Sequence, residues 1–342
     1  MNITITGDIG SGKSTVAKLL SDKLNLIVVD TGALYREYAS NQGLDVLEQN
    51  NSDDWSIDRK IDSTIAELGK TRDNQIFVSR LGWYFVPDAI KIYLAINPVL
   101  AARRIVEDTT RRSERHSTVD ECFDYNSKRK GLELERYAKL YNLADPSGYE
   151  SADIVVVVGK NNAADVCECI TNAIDKKEYG FFIDPRVLIP TQSIRDCNMS
   201  ALEDYKKFME SDGVKKLDID LHKSGDLYYV NDGHPRVAAA CIKNVKFIKT
   251  PSPKPMISFT PNSDIYDYED LTSNSLRDEI TLQDKQEKAM NEKSDRVKEQ
   301  MKSYAESHNM SYEELCDKVY KEMPDILMMT ILQYVWRQKK DI

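Results

Sequence analysis

Residues Gly7-Asp8-Ile9-Gly10-Ser11-Gly12-Lys13-Ser14 form an unbroken G-x-x-x-x-G-K-S run. Glycines at these spacings let a loop curl until successive backbone N–H groups face one centre. A helix opening at Ser14 adds the partial positive charge of its N-terminus. Such a cradle holds a polyphosphate: Lys13 supplies a full charge to the β- and γ-phosphates, and the Ser14 hydroxyl is a magnesium ligand. Gly7, Gly10, Ser11, Gly12, Lys13, Ser14 and Thr15 are therefore the expected ATP-binding residues, with Mg2+ held at Ser14. The flanks are the ones the motif requires, a short apolar strand before it and a helical stretch after it.

The elements that position this loop are read from the pattern of apolar runs. Strands are expected at 2–6, 26–29, 75–79, 90–96 and 153–158, with helices between them such as 14–24 and 98–109. Short aliphatic runs alternating with helices predict an α/β fold, a P-loop NTPase with a parallel sheet covered on both faces. Three regions are expected: a kinase domain over 1–177, a small α+β domain over 178–260, and a helical region over 261–342. The second ends in a run rich in proline, with Pro251, Pro253 and Pro255, which reads as a connector.

The segment after the first helix narrows the chemistry. Asp30-Thr31-Gly32-Ala33-Leu34-Tyr35-Arg36 resembles the D-T-G-A-x-Y-R signature of cytidylate kinases. The likeness continues through Val78-Ser79-Arg80-Leu81-Gly82-Trp83, Ile90–Leu94 and Ala101–Ile105. It then takes in Arg129, Glu133, Arg136-Tyr137 and Tyr141, spans about residues 1 to 175, and looks closest to the short, archaeal-type branch. The resemblance implies an ATP-dependent phosphotransferase in which Arg36 and Arg80 clamp the acceptor phosphate, a bidentate task suited to guanidinium. It places Asp30 near the acceptor or a magnesium-bound water. It also implies catalytic roles for Lys13, Arg80, Arg129 and Arg136, the last two coming after a lid at 111–125. No general base is demanded, because phosphoryl transfer rests on positioning and charge neutralisation. Ser79, where the family has glycine, and Val157, Val158 and Gly159 after the last strand depart from the pattern. They leave the acceptor open between CMP or dCMP, a modified nucleotide and another phosphorylated small molecule.

In the second region, Asn231-Asp232-Gly233-His234-Pro235-Arg236 runs from a strand into an Ala-rich helix. This resembles the ParB and sulfiredoxin superfamily, whose D-G-H-x-R segment opens a helix and binds phosphate. The resemblance implies a second phosphate site at Asp232, Gly233, His234 and Arg236, with His234 as an added donor or a proton shuttle. His234 stands where sulfiredoxins place cysteine, and Pro235 removes the second histidine of the free serine kinases. Two alternatives remain open: a small-molecule kinase acting through this domain, and a nucleotide-switched regulatory or partition-type protein.

The whole sequence limits partners. At 342 residues the chain is long enough for two or three domains, and its net charge of -9 argues against nucleic acid as a main partner. No run approaches the roughly 20 apolar residues of a membrane span, and no signal peptide is read at the N-terminus, so a cytoplasmic location is expected. The six cysteines have no metal-ligand rhythm and read as buried reduced thiols. His116, His222 and His308 read as surface residues. The stripe Leu315, Val319, Met323, Ile326, Met329, Leu332 and Val335 has helical spacing and predicts a packing surface, for example in a homodimer.

Overall fold

The computed structural model describes residues 1–32, 35, 55–108, 116–190, 204–205, 207–209, 214–255 and scattered positions between 299 and 314. The chain divides into two compact units, Met1–Asp184 and Pro185–Ile342.

In the first unit the described elements run β1 (Ile3–Gly7), α1 (Lys13–Leu24), β2 (Ile27–Asp30), α2 (Ser56–Thr71), β3 (Gln75–Val78), α3 (Gly82–Phe85) and β4 (Ile90–Ile96). They continue with α4 (Pro98–Glu107), α5 (Val119–Tyr141), β5 (Ile154–Val158), α6 (Ala163–Asp175) and β6 (Gly180–Ile183). The strands lie in the order β2-β3-β1-β4-β5-β6. Every pairing is parallel, with Ile5 opposite both Val78 and Ile92. β1 and β5 are buried along their whole length, as parallel strands covered on both faces must be. The parallel α/β sheet expected from the sequence is thus present. The chain passes to one side of β1 for β2 and β3, then crosses to the other side for β4. The carboxyl ends of β1, β2 and β3 therefore flank a topological switch point, where open α/β sheets hold ligands.

Helix ends reflect local chemistry. Asn97 caps α4 by accepting from the Val99 and Leu100 N–H groups, with Pro98 at the first position. Asn162 and Asp165 form a reciprocal capping box on α6. One boundary differs from expectation. The first unit ends at Asp184 and not at 177, because β6 pairs with β5 from Ile154↔Gly180 to Val157↔Ile183. The segment 181–190, expected to open the second domain, is instead β6, a 3-10 turn (Pro185–Val187) and β7 (Ile189–Pro190).

The second unit contains β8 (Lys215–Lys216), β9 (Asp220–Ser224), β10 (Leu227–Asp232), α7 (His234–Ile242), β11 (Ile248–Thr250) and β12 (Lys254–Pro255). Four strands form a sheet in the order β12-β9-β10-β7, with β9 and β10 antiparallel, and β8 pairs with β11. The expected strand, turn and helix around Gly233 are β10 and α7. The apolar stripe at 315–335, and with it the homodimer expectation, lies outside the described residues. Among those described, Cys122, Cys167, Cys169 and Cys241 are buried and form no disulfide. No helix among them is long and apolar enough to cross a membrane.

Candidate active site

The loop between β1 and α1 is shaped by its glycines. Gly7 has a φ of 137°, and a Cβ there would fall 2.2 Å from the Leu94 carbonyl oxygen, so no side chain fits. Gly12 caps α1 with a φ of 87°, and a Cβ there would meet nothing within 4 Å. That open space lies at the helix N-terminus, where an anion belongs. Lys13 Nζ donates to the carbonyls of Gly7 (3.0 Å) and Asp8 (2.5 Å). Burial, and after it the Arg80 charge, pushes its pKa well below the usual lysine value. Buried Asp8 anchors the loop. One carboxylate oxygen accepts from the Tyr93 hydroxyl and pairs with Lys130, both at 3.0 Å, and the other accepts from the Ile96 N–H. Ser11 donates to the Asp8 carbonyl, and Thr15 lies exposed on the first turn of α1.

Two strand ends and helix α5 bring the remaining groups to the loop. Ser14 Oγ donates to Asp30 Oδ2 at 2.7 Å, joining α1 to the end of β2. Arg80, just past β3, donates from Nη1 to the Gly7 carbonyl at 2.9 Å and from Nε to Glu133 Oε2 at 2.9 Å. Arg129 donates to the other Glu133 oxygen at 2.8 Å. Burial works to raise the Glu133 carboxyl, but Arg80 and Arg129 outweigh it and hold its pKa below the ordinary value. Lys13, Ser14, Asp30, Arg80, Arg129 and Glu133 line one cavity of about 100 Å3.

Arg136 does not join them there. It forms a buried ion pair with Asp58 of α2, which does line the cavity. Four residues on, Asp62 accepts from the Tyr141 hydroxyl at 2.6 Å. Burial raises Asp62 to about 7, opposed by the Tyr141 bond and assisted by Asp58. Arg36 and residues 111–115 of the expected lid lie outside the described residues, and 119–125 form the start of α5. Sequence reasoning assigned no role to Asp58, Asp62 or Glu133. The signal present was the Asp58-to-Asp62 step of four within an apolar 3.6 pattern of Ile57, Ile61, Ile65 and Leu68.

In the second unit, Gly233 caps α7 with a φ of 103°. Arg236 donates to the Tyr205 hydroxyl at 3.1 Å and to the Asp218 carbonyl, with Asp232 4.0 Å away. His234 is 1% exposed, and burial lowers its pKa to about 4, with Asp232 acting in the opposite direction. The ring is thus enclosed within the unit, and burial favours its neutral form. His116 and His222 are also only partly exposed, beside Glu121 and Asp220 respectively.

Comparison with known proteins agrees with the first unit's geometry. A family model described as an AAA domain matches residues 3–127. A cytidylate kinase of Sulfolobus acidocaldarius is 34% identical over 182 residues, which is 52% of this chain and 96% of that protein. A cytidylate kinase of Archaeoglobus fulgidus is 32% identical over 52% of this chain and 97% of its own length. A solved shikimate kinase from Aquifex aeolicus is 19% identical, covers 52% of this chain and 98% of its own, and has a TM-score of 0.33, too low to argue from. Sequence identity along nearly the whole of those relatives, joined to a phosphate loop that faces paired arginines, means that the chain belongs through its N-terminal unit to the cytidylate kinase family and is a kinase.

Proposed function

We propose that the chain is an ATP-dependent nucleoside monophosphate kinase whose acceptor is CMP or dCMP. The observation that carries this reading is that Lys13, at the donor loop, and Arg80, the expected acceptor clamp, border the same cavity. A γ-phosphate seated in the loop draws Lys13 Nζ from the Gly7 and Asp8 carbonyls, and the anion favours its charged form. Arg80 and Arg129 exchange part of their hold on Glu133 for acceptor phosphate oxygens, aligning the two reactants in line. Ser14 Oγ and Asp30 Oδ2 fit magnesium, which takes one or two protein oxygens and completes its shell with phosphate and water. When bound, that ion neutralises charge on the β- and γ-oxygens. With Tyr137 and Tyr35 over the same cavity, the site holds apolar surface beside its charges, so closure around the acceptor excludes water.

The test is a phosphotransfer screen of the intact chain with ATP against the nucleoside monophosphates. CMP or dCMP should be the best acceptor, and Lys13→Ala should lower turnover by several orders of magnitude. Near-normal turnover in that variant would remove the loop from the chemistry.

For the second unit, a ParB-like phosphate site at the start of α7 is the reading we favour, with His234 in a structural role. It is supported by the Arg236 Nη1 position, 3.3 Å from where a Gly233 Cβ would be, beside the first helical turn. A phosphate titration of the Lys13→Ala chain, with the P-loop disabled, should retain one binding event. A flat titration would leave this unit a scaffold.

A further inference from the structure

Helix α5 meets its surroundings through a series of side chains along its length. Glu133 holds Arg80 and Arg129, Arg136 pairs with Asp58, and Tyr141 donates to Asp62. From Glu133 to Tyr141 is eight residues, or about 12 Å along the helix axis at 1.5 Å per residue. The series therefore leads from the phosphate-binding arginines to a carboxyl one nucleotide length away. Asp62 is 7% exposed and borders the cavity together with Tyr35, Ile61 and Tyr137. Those neighbours are flat or apolar, suited to a ring face. Tyr141 occupies Asp62 Oδ2, and no donor among the described residues reaches Oδ1.

We propose that Asp62, positioned by Tyr141, reads the acceptor's base as a neutral acid, its Oδ1–H donating to a ring nitrogen while Oδ2 accepts from the adjacent amino group. This rests on the nucleoside monophosphate kinase reading and extends it to the base. The favoured class is an amino-substituted base such as cytosine. With Oδ2 committed as an acceptor by Tyr141, the acid's single proton falls on Oδ1. Uracil would bring a ring N–H against that O–H, donor to donor. Ionised Asp62 would instead oppose the ring-nitrogen lone pair.

Asp58 on α2 and Tyr137 and Tyr141 on α5 act on this carboxyl, and Tyr35 borders the same cavity. Burial holds Asp62 protonated up to about pH 7, Asp58 helps, and the Tyr141 bond opposes. Base reading should thus be tight below neutrality and weaken above it.

The experiment measures the KM for CMP, UMP and ATP across pH in wild type, Asp62→Asn, Asp62→Leu and Tyr141→Phe. Asn presents a donor and an acceptor at every pH, so the ratio of wild-type to Asn KM for CMP cancels titration of the substrate phosphate. That ratio should be flat in acid and rise by up to about tenfold per unit above neutrality. Tyr141→Phe removes a bond that favours the ionised form, so the inflection should move to higher pH, a shift that loss of packing alone would not produce. Asp62→Leu should raise the CMP KM at least about tenfold and erase preference over UMP, with the ATP KM unchanged. A ratio flat across the whole range overturns the role of Asp62 while leaving the kinase reading intact, and the isosteric Asn variant carries this test even where Leu does not fold. Absence of turnover with every nucleoside monophosphate overturns both.

Discussion

Glu133 sits between two guanidinium groups in a position a ligand phosphate would also suit. Its carboxylate balances Arg80 and Arg129 next to Lys13, which is how three cations can share a small cavity without a bound anion. Replacing it with glutamine removes the counter-charge while nearly preserving shape. Glu133→Gln should cost about 3 kcal/mol of stability, the range for breaking a buried pair. Inorganic phosphate should raise its melting temperature more than it raises the wild type's. Equal phosphate shifts in a thermal melt would show that Glu133 is not the arginines' counter-ion. The P-loop residues were legible in the sequence because each glycine and Lys13 has a fixed offset in a contiguous motif. Glu133 was named only by resemblance, since its i,i+4 spacing to Arg129 is that of an ordinary surface pair and Arg80 comes from beyond β3.

At the level of elements, two glycines of one loop answer to different demands. Gly7 has no room for a side chain because β4 runs directly against it, whereas Gly12 faces open space and is constrained only by its positive φ. Gly12→Ala should lower stability by roughly 1 kcal/mol, the cost of a left-handed alanine, yet abolish nucleotide binding by occupying the cradle. Gly7→Ala should fail to reach the native fold. Calorimetric unfolding with and without ATP separates the two; similar melting temperatures for both variants would contradict this division. The inner strands of the sheet were legible because both their faces are buried and they read as short, mostly apolar runs. Helix α2 was not assigned a role, since Asp58 and Asp62 look like ordinary surface acids until Arg136 and Tyr141 arrive from α5, about 80 residues away in sequence. β6 was read into the next domain because Gly180 and the residues after it come behind a charged stretch, Lys176-Lys177-Glu178, that resembles a linker. Parallel pairing to β5 overrides that local signal.

The molecule as a whole has two units with different acid sensitivities. His234, in the second, is held neutral by burial, its pKa depressed from 6.5 to about 4. The unfolded chain takes up a proton in that window and the folded unit does not, so its stability is complete above 6.5 and falls as the pH drops toward 4. Acid titration with hydrogen exchange as the readout should show amides of α7 losing protection in this window, and His234→Gln should flatten the trend. Unchanged protection down to pH 4 would refute it. The end of the first unit has a practical consequence as well. β6 covers one side of β5, a run of Ile154 and four valines that is buried throughout. A chain cut after Lys177 would bare that strand's N–H and C=O groups beside a row of valines, a template for stacking with other copies. Seven further residues, to Asp184, keep β5 paired along its length.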